Sequence, residues 1–350
     1  MIAFAHYPTY QVFLAVVIAM VAAALLFPLW IRLLRVRNIG QQVRADGPQG
    51  HLVKQGTPTM GGVLILLVIT ATFLLVGTPK KLSTLALLAM LACGVIGFVD
   101  DWSKVSHERS LGLRPRAKLF WLGTVSAVFA LLVVNWTDLP TWVAIPLTTY
   151  KVDLGEFSSA FSIAGFNFVV PWFYLIFVGI MIVGTSNAVN LTDGLDGLAA
   201  GTVAIVTLVF AGIAFRQNSL QTALLAAAVA GACVGFLWYN SYPADIFMGD
   251  TGSLGLGAII AALAVITKTE LLLLVIGGIY VAETLSVVLQ VASFKLTGKR
   301  IFRMAPLHHH FEMKGWSETK VMVRFWIITA ILAGAGFAIF FIGNLVARGK

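Results

Sequence analysis

The chain has very few charged residues and no long polar stretch. Only 11% of its 350 residues are charged, 59% are hydrophobic, and the mean hydropathy is +0.92. This composition excludes an ordinary water-soluble domain and indicates a membrane protein. The two cysteines, Cys93 and Cys233, lie in apolar runs without CxxC spacing, which indicates packing residues. Any chemistry must therefore be performed by short loops and by the ends of membrane helices.

Long apolar runs occupy most of the chain. A bilayer-spanning helix needs about 20 mostly apolar residues. Ten runs of this kind occur, centred on residues 10–33, 59–77, 82–99, 117–135, 167–189, 195–215, 221–240, 252–267, 271–296 and 324–346. They predict an all-α polytopic membrane protein with about ten spans, forming a single catalytic domain over residues 1–350. The first residues lack the basic region of a cleavable signal peptide, so we expect the first span to be retained.

Basic residues predict the orientation of the spans. With ten spans, the first, third, fifth, seventh and ninth loops share one side, and 17 of the 24 Lys and Arg residues fall there. Positive charge concentrates on cytoplasmic loops, so we expect both termini to be extracytoplasmic. Most of these residues are expected to serve topology and contacts with membrane lipid.

Carboxylates occur at the membrane boundary, on the same side as the basic residues. Asp100 and Asp101 end the third span, Asp193 and Asp196 follow the fifth, and Asp250 precedes the eighth. A charge near the hydrocarbon is unfavourable unless it is paired, bound to metal or placed in a water-filled cavity. The pattern therefore predicts one shared cytoplasmic cavity.

Residues suited to phosphate and Mg²⁺ binding occur on that side. Mg²⁺ takes oxygen ligands, usually one or two carboxylates together with substrate phosphates. Lys54 and Lys118 each precede a span. The stretch "GDTGSLGLG", which starts at Gly249, begins a helix whose free N–H groups suit an anion. Together these features predict a site for a magnesium-bound phosphate compound.

Three consecutive histidines, His308, His309 and His310, lie in the ninth loop within "APLHHHFEMKGW". Adjacent residues of a helix point about 100° apart, so all three cannot bind one metal ion from a regular helix. Histidine can donate to a phosphate or carry a proton near neutral pH. The pattern favours contact with a diphosphate over a zinc site, with an ordinary hydrated loop as the alternative.

Two further features are open to different interpretations. Glu283 and Gln290 lie seven residues apart in the ninth span, hence on one helical face. An intramembrane carboxylate is a candidate functional group, and Glu283 could equally be hydrogen-bonded between helices. The segment around Gly155 is rich in β-forming residues and predicts a small extracytoplasmic hairpin.

Four motifs in order resemble one enzyme superfamily along nearly the whole chain. They are "VDDW" after the third span, "NAVNLTDGLDGLA" after the fifth, "FMGDTGSLGLG" before the eighth and "PLHHHFEMKGW" in the ninth loop. Together with ten spans, they resemble the polyprenyl-phosphate N-acetylhexosamine-1-phosphate transferases. The histidine motif resembles the branch of that superfamily that acts on a muramoyl-pentapeptide.

The resemblance implies a reaction on the cytoplasmic face of the bacterial inner membrane, in peptidoglycan synthesis. UDP-MurNAc-pentapeptide and undecaprenyl phosphate would give lipid I and UMP, with Mg²⁺ as cofactor. It also implies a homodimer, and we expect no nucleic-acid partner. Joining two phosphates requires neutralised charge and in-line positioning, which is mostly an electrostatic task.

The same resemblance implies roles for individual residues. Asp250 would be the Mg²⁺ ligand, Asp100 the base for undecaprenyl phosphate and Asp101 its support. The histidines and Lys118 would face the diphosphate and the sugar, and Phe247 would stack on the uracil. The remaining substrate-binding residues would be Lys54, Thr59, Asn187, Asn190, Asp193, Asp196, Asn240, Gly249 and Gln290.

Two other functions fit parts of the pattern. A transporter could use an acidic cytoplasmic cavity to bind a cation, but no pair of broken helices in matching halves supports this. A related transferase could use UDP-N-acetylglucosamine, and a test with both sugar nucleotides separates the two. Whether the transfer is direct or passes through a phospho-aspartate is not determined by the residues.

Overall fold

The computed structural model describes residues 7–37, 39–40, 56–107, 112–163 and 166–348. The predicted substrate-binding residue Lys54 lies outside the described residues. Within them the chain is mostly helical, and nine helices are long and apolar enough to cross a membrane. An apolar helix of 16 residues, the second, brings the number of bundle helices to ten. The helices are α1 Pro8–Val36, α2 Gly61–Val76, α3 Lys81–Ser106, α4 Pro115–Thr137, α5 Trp172–Thr192, α6 Leu198–Arg216, α7 Leu220–Asn240, α8 Gly249–Ile266, α9 Leu273–Ile276, α10 Gly278–Thr297, α11 Leu307–Glu312 and α12 Glu318–Arg348.

The loop between α4 and α5 forms two hairpins where one was predicted. Strands β1 (Trp142–Ala144) and β2 (Lys151–Asp153) pair antiparallel, and so do β3 (Ser158–Ile163) and β4 (Phe166–Pro171). The fifth apolar run therefore begins as a strand. The Asn135 side chain in α4 explains this, because its amide bonds the backbone N–H and C=O of Val169 and holds β4 in extended form.

The ninth apolar run was predicted as one continuous span and is interrupted. It ends as α9 at Ile276 and resumes as α10 at Gly278. Two adjacent glycines, Gly277 and Gly278, have poor helix propensity and permit the break. A side chain at Gly278 would also meet Leu332 of α12 at 3.0 Å. The run thus becomes a short helix against α12 and a separate helix that leads to the histidine segment.

Helix α8 is the centre of the bundle, with Thr251–Ile266 buried at every position. It packs against α3, α5 and α2. Glycines permit this close approach: a Cβ on Gly62 would lie 2.0 Å from the Gly252 nitrogen, and one on Gly97 would lie 2.2 Å from the Asp250 carbonyl oxygen. Small residues at such crossings allow helix backbones to touch. The end of α3 is thereby placed directly against the start of α8.

Candidate active site

Four helix ends meet at one end of the bundle, opposite the hairpins. They are the C-terminal ends of α3 and α5 and the N-terminal ends of α4 and α8. Asp100, Asp101 and Asp250 each place a carboxylate oxygen within 4.8 Å of the other two. Asp100 and Asp101 are buried, whereas Asp250 keeps 15% of its side chain exposed. The structure therefore brings the adjacent Asp100 and Asp101 together with Asp250, which lies 149 residues after Asp101 in the sequence.

Asp101 binds the N-terminus of α8. Its Oδ1 accepts a hydrogen bond from the Asp250 N–H at 3.0 Å, and its Oδ2 accepts from the Thr251 N–H at 2.9 Å and hydroxyl at 2.7 Å. Free N–H groups at a helix start attract a carboxylate. Because α8 has no capping side chain of its own, Asp101 supplies the cap from α3. This bond fixes Asp250 relative to Asp100.

Two lysines lie among the carboxylates. The Lys104 ammonium is 2.5 Å from Asp100 Oδ2 and 3.1 Å from Asp250 Oδ2, and Lys118 Nζ is 2.7 Å from the same Asp250 oxygen. Lys118 was predicted, but Lys104 was counted only among the residues that set topology. The one signal for it was its spacing: Lys104 follows Asp100 by four residues, so both lie on one face of α3.

The segment that leads to Lys118 is attached to the same cluster. The Leu113 N–H donates to Asp100 Oδ1 at 2.8 Å. A Cβ on Gly112 would lie 2.6 Å from that oxygen, so the backbone passes directly over the carboxylate. Asp100 therefore fixes the approach to α4 as well as contributing charge.

Asn190 and Asp193 lie at the end of α5, facing the cluster. The Asn190 amide donates to Asp250 Oδ1 and to Ser253 Oγ, both at 2.8 Å. Asp193 ends the helix, and its environment raises the pKa of the carboxyl well above its usual value. The main cause is desolvation by burial, followed by the charges of Asp250, Asp101 and Asp196. Asn190 thus orients Asp250, and Asp193 adds a further acidic group beside it.

Three other predicted residues hold protein segments in place. Asp196 Oδ2 accepts the Ala244 N–H at 3.0 Å, while the buried Asn240 amide bonds the Gly197 N–H and the Ile246 C=O. Asn187, partly exposed, donates to Val183 of its own helix. Asp196 and Asn240 therefore bind the loop after α5 to the loop after α7.

The segment before α2 pairs with the segment before α8. The Phe247 N–H donates to the Pro58 carbonyl at 2.8 Å, and the Gly61 N–H donates to the Phe247 carbonyl at 2.9 Å. Thr59, which is buried, is thereby placed next to the half-buried Phe247. Gly249 has φ +76°, a conformation that favours glycine. A Cβ there would lie 2.7 Å from the Asp101 carboxylate, so this glycine is required on two grounds.

The three histidines form half of the six-residue helix α11 and have different hydrogen-bond partners. His308 is fully buried, with Nδ1 3.1 Å from Glu283 Oε1. His309 Nδ1 lies 2.6 Å from Glu312 Oε2. The ring of His310 accepts the Arg303 N–H, and desolvation together with Lys314 and Arg303 lowers the pKa of this histidine.

Both polar atoms of the Gln290 side chain form hydrogen bonds to backbone groups of the protein. The carbonyl oxygen accepts the N–H groups of Ile301 and Phe302, and the nitrogen donates to the Phe302 carbonyl. In the structure this residue therefore shapes the loop between α10 and α11.

The donor set suits a hard divalent cation. The candidate ligands are carboxylates, and the described residues place no cysteine and no histidine in the same cluster. Carboxylate oxygens with substrate phosphates are the usual ligands of Mg²⁺. Asp250 is the carboxylate most open to a ligand, because 15% of its side chain is exposed, whereas the side chains of Asp100 and Asp101 are each 4% exposed.

Comparisons with known proteins identify the family of the chain. The family described as "Glycosyl transferase family 4" matches residues 83–268, and the "Phospho-N-acetylmuramoyl-pentapeptide-transferase signature 1" matches residues 54–66.

Individual relatives match over almost their full length. The chain is 47% identical to a phospho-N-acetylmuramoyl-pentapeptide-transferase of Shouchella clausii, over 91% of this chain and 94% of the relative. It is 47% identical to one of Geobacillus kaustophilus, over 95% and 98% respectively. A third, from Rubrobacter xylanophilus, is 43% identical over the same shares. Because these relatives are 43–47% identical over at least 91% of this chain and 94% of their own length, the chain belongs to the phospho-N-acetylmuramoyl-pentapeptide-transferase family.

Proposed function

We propose that the acidic cluster is the centre at which this membrane enzyme transfers phospho-MurNAc-pentapeptide from UDP-MurNAc-pentapeptide to undecaprenyl phosphate, giving lipid I and UMP. The overall reaction is inferred from membership of the family. The single structural observation that supports its location is the meeting of Asp100, Asp101 and Asp250 with Lys104 and Lys118 at one end of the bundle. Phosphoryl transfer needs such a set of fixed charges more than it needs covalent chemistry from the protein.

Asp250 would hold Mg²⁺, with Asp100 as the neighbouring carboxylate. When bound, the ion would neutralise charge on the diphosphate of the sugar nucleotide. Asn190 would keep Asp250 oriented through its 2.8 Å hydrogen bond. Lys118, 2.7 Å from Asp250, would contact the phosphates on the side away from α3.

Asp100 would orient the phosphate of the lipid substrate and take its proton when that phosphate arrives monoprotonated. The second pKa of a phosphate monoester is about 6, so this fraction is small at neutral pH. The role of Asp100 is therefore mainly geometric, and Lys104, 2.5 Å away, would favour the charged form of the carboxylate. Asp101 would act through the start of α8, which it caps.

The nucleotide would bind where the segments before α2 and α8 pair. Phe247 would stack on the uracil, beside Thr59 and Gly249, with Asn187 and Asp193 at the opposite wall. Asp196, Asn240 and Gln290 would contribute by shaping this wall, since their side chains bond backbone groups. Lys54, which belongs to the signature match at residues 54–66, would complete the set.

This end of the bundle would face the cytoplasm at the inner membrane, where UDP-linked precursors are available, and the excess of Lys and Arg in the loops on this side supports that orientation. The whole of residues 1–350 would act as one catalytic domain and associate as a homodimer. Light scattering of purified protein with correction for detergent measures the oligomeric state directly, and a mass of one chain would contradict the dimer.

The decisive experiment is UMP release from UDP-MurNAc-pentapeptide by purified protein, with and without undecaprenyl phosphate, and with and without Mg²⁺. UDP-N-acetylglucosamine serves as the comparison substrate. Release that requires both the lipid and Mg²⁺ is expected, with little release from the comparison substrate.

Other outcomes have defined meanings. A stoichiometric burst of UMP without lipid would indicate a covalent phospho-sugar intermediate on an aspartate instead of direct attack. Preference for UDP-N-acetylglucosamine would move the protein to the related transferase branch. Full activity in the presence of a chelator would contradict the role of Mg²⁺.

A further inference from the structure

We propose that Glu283 is a positioning residue that fixes the His308 ring, with the proton on Nδ1 and with Nε2 presented to the loop between Asp193 and Asp196. The inference rests on the proposed function, which places the histidine helix at the diphosphate. It assigns a role to an intramembrane carboxylate that the reaction chemistry does not otherwise require.

Glu283 uses both oxygens on the start of α11. Its Oε1 lies 3.1 Å from His308 Nδ1, and its Oε2 accepts the Leu307 N–H at 2.7 Å. Glu283 and His308 are both fully buried. An ionised carboxylate only accepts hydrogen bonds, so the ring nitrogen that faces it is the one that carries the proton. The hydrogen bond from the Leu307 N–H also fixes the start of α11, and with it the backbone position of His308.

The other ring nitrogen faces the acidic loop. Among the described residues His308 Nε2 has no hydrogen-bond partner, and a Cβ on Gly194 would lie only 2.4 Å from it. The ionisable groups around the ring are Glu283 from α10, His309 with its ring centroid 4.2 Å away, and Asp193 beside Gly194. A buried nitrogen without a partner is unfavourable and needs an explanation. A ligand-facing role supplies one.

A carboxylate behind a histidine has a known physical effect. It holds the ring in one tautomer and orientation and stabilises the imidazolium form. Protonated on Nε2 as well, the ring would donate a hydrogen bond to an anionic group. A diphosphate beside the Asp193 loop is such a group, so the pair Glu283 and His308 would add a directed positive charge opposite the carboxylate cluster.

The test is the substitution Glu283→Gln. A glutamine has one acceptor oxygen, which the Leu307 N–H would keep, so its amide N–H would donate to His308 Nδ1 and move the ring proton to Nε2. Imidazole ¹⁵N spectra of the purified full-length protein, assigned with His308→Asn, report this tautomer without any need for activity. We expect the Nδ1–H form in the wild type and the Nε2–H form in the variant.

The kinetic expectation is a fall in kcat of roughly 10–100-fold, the usual effect of removing an outer partner of a functional histidine. The KM for UDP-MurNAc-pentapeptide should change little. Glu283→Asp keeps a carboxylate and should recover part of kcat. Thr284→Val is the matched control, because its hydroxyl is buried in the same helix and has no hydrogen-bond partner among the residues that the structure describes.

A double-mutant cycle with His308→Asn separates positioning from a structural role. If Glu283 acts through His308, Glu283→Gln causes no further loss in the His308→Asn background. Additive losses, or an Nε2–H ring in the wild type, would overturn the proposal. An Nδ1–H ring that responds to Glu283→Gln in a protein without UMP release would support the positioning role and reject the proposed function.

Discussion

At the scale of single residues, the candidate centre carries more negative than positive charge. Asp100, Asp101 and Asp250 are accompanied by two ammonium groups, from Lys104 and Lys118. One unit of negative charge is left over in a largely buried place, which is unfavourable unless a cation joins the group. The imbalance is what makes the cluster receptive to a divalent ion that arrives with a diphosphate.

We expect Asp250→Asn to reduce turnover by roughly 100-fold or more, the scale of losing one transition-state electrostatic contact. The protein should remain folded, because asparagine can still bond Asn190. UMP release in detergent with saturating Mg²⁺ measures the effect. Asp245→Asn is the control, since Asp245 pairs with Arg35 at 3.5 Å and both side chains are 60% exposed. Near wild-type turnover of Asp250→Asn would remove Asp250 from the metal site.

Phe247→Ala should weaken the binding of uridine compounds more than it slows the chemical step. A lost stacking contact is worth about 1 kcal/mol, or about a fivefold change in Kd for UMP measured by calorimetry. Phe161→Ala in the distant hairpin is the control. Equal Kd values for the Phe247 variant and the wild type would place the uracil elsewhere.

Asp193→Asn should stabilise the protein at neutral pH. Burial and neighbouring carboxylates raise the pKa of Asp193 in the folded protein. In the unfolded chain the pKa of this carboxyl is about 4. A carboxyl whose pKa is higher in the folded state makes the protein less stable as the pH rises above the pKa of that carboxyl in the unfolded chain. Above that pH the unfolded chain releases the proton while the folded protein still holds it.

Thermal unfolding of the Asp193→Asn variant, followed from pH 4 to pH 8, provides the measurement. Each kcal/mol recovered raises Tm by about 1–2 °C for a chain of this size, because the entropy of unfolding is about 2.1 cal/mol/K per residue. The gain should be present at pH 7 and absent near pH 4. A gain that is independent of pH would mean that the carboxyl's environment is not the cause.

Several site residues could be predicted from sequence because their types are unusual in a membrane protein. Boundary carboxylates such as Asp100 and Asp250 attract notice against an apolar background. Lys104 could not be found, because a lysine near a cytoplasmic boundary is also what topology requires. Asp101 and Asn240 were predicted as members of the site, but their hydrogen bonds to backbone groups depend on contacts between distant segments, which one sequence does not reveal.

At the scale of elements, glycine positions decide how closely helices approach. The contact of Gly62 with Gly252 leaves no room for a methyl group, since a Cβ would lie 2.0 Å from a backbone nitrogen. This crossing joins α2 to α8 directly below the site. The sequence predicted ten spans from hydropathy, yet it could not show the crossing or the break at Gly277, because both depend on the neighbouring helix.

Gly62→Ala should lower thermal stability strongly and reduce the yield of folded protein, because the α2 and α8 backbones must separate. Overpacking of a tight contact typically removes about 1–3 kcal/mol. Gly184→Ala in α5 is the matched control, because no described part of the chain lies within 4 Å of the added carbon. A Tm for Gly62→Ala equal to that of Gly184→Ala would show that the two backbones are not in contact.

At the scale of the whole molecule, the two ends of the helix bundle differ in their polar groups. The hairpins between α4 and α5 lie at one end, and the carboxylates, lysines and histidine helix lie at the other. Among the described positive residues of the odd loops, Lys104 and Lys118 lie at the latter end. This asymmetry is what predicts which end meets the cytoplasmic nucleotide substrate.

Single-cysteine labelling tests this orientation. The two native cysteines are buried, so a membrane-impermeant maleimide should report only introduced thiols. We expect Thr148→Cys, in the β1–β2 turn, to be labelled in intact spheroplasts, and Ser241→Cys, after α7, only once they are permeabilised. The reverse pattern would place the carboxylate cluster outside the cell.

The shortness of α2 has a consequence for the lipid substrate. Its 16 residues extend about 24 Å, against a hydrocarbon core of about 30 Å. Beyond the far end of α2, Lys81 at the start of α3 donates to the Trp136 carbonyl, a pairing suited to the membrane interface. With its C-terminal end at that interface, α2 does not reach the headgroup layer on the substrate side of the membrane. This hydrophobic mismatch requires local thinning of the bilayer or an inward shift of the lipid phosphate, so the bilayer itself becomes part of the geometry of the reaction.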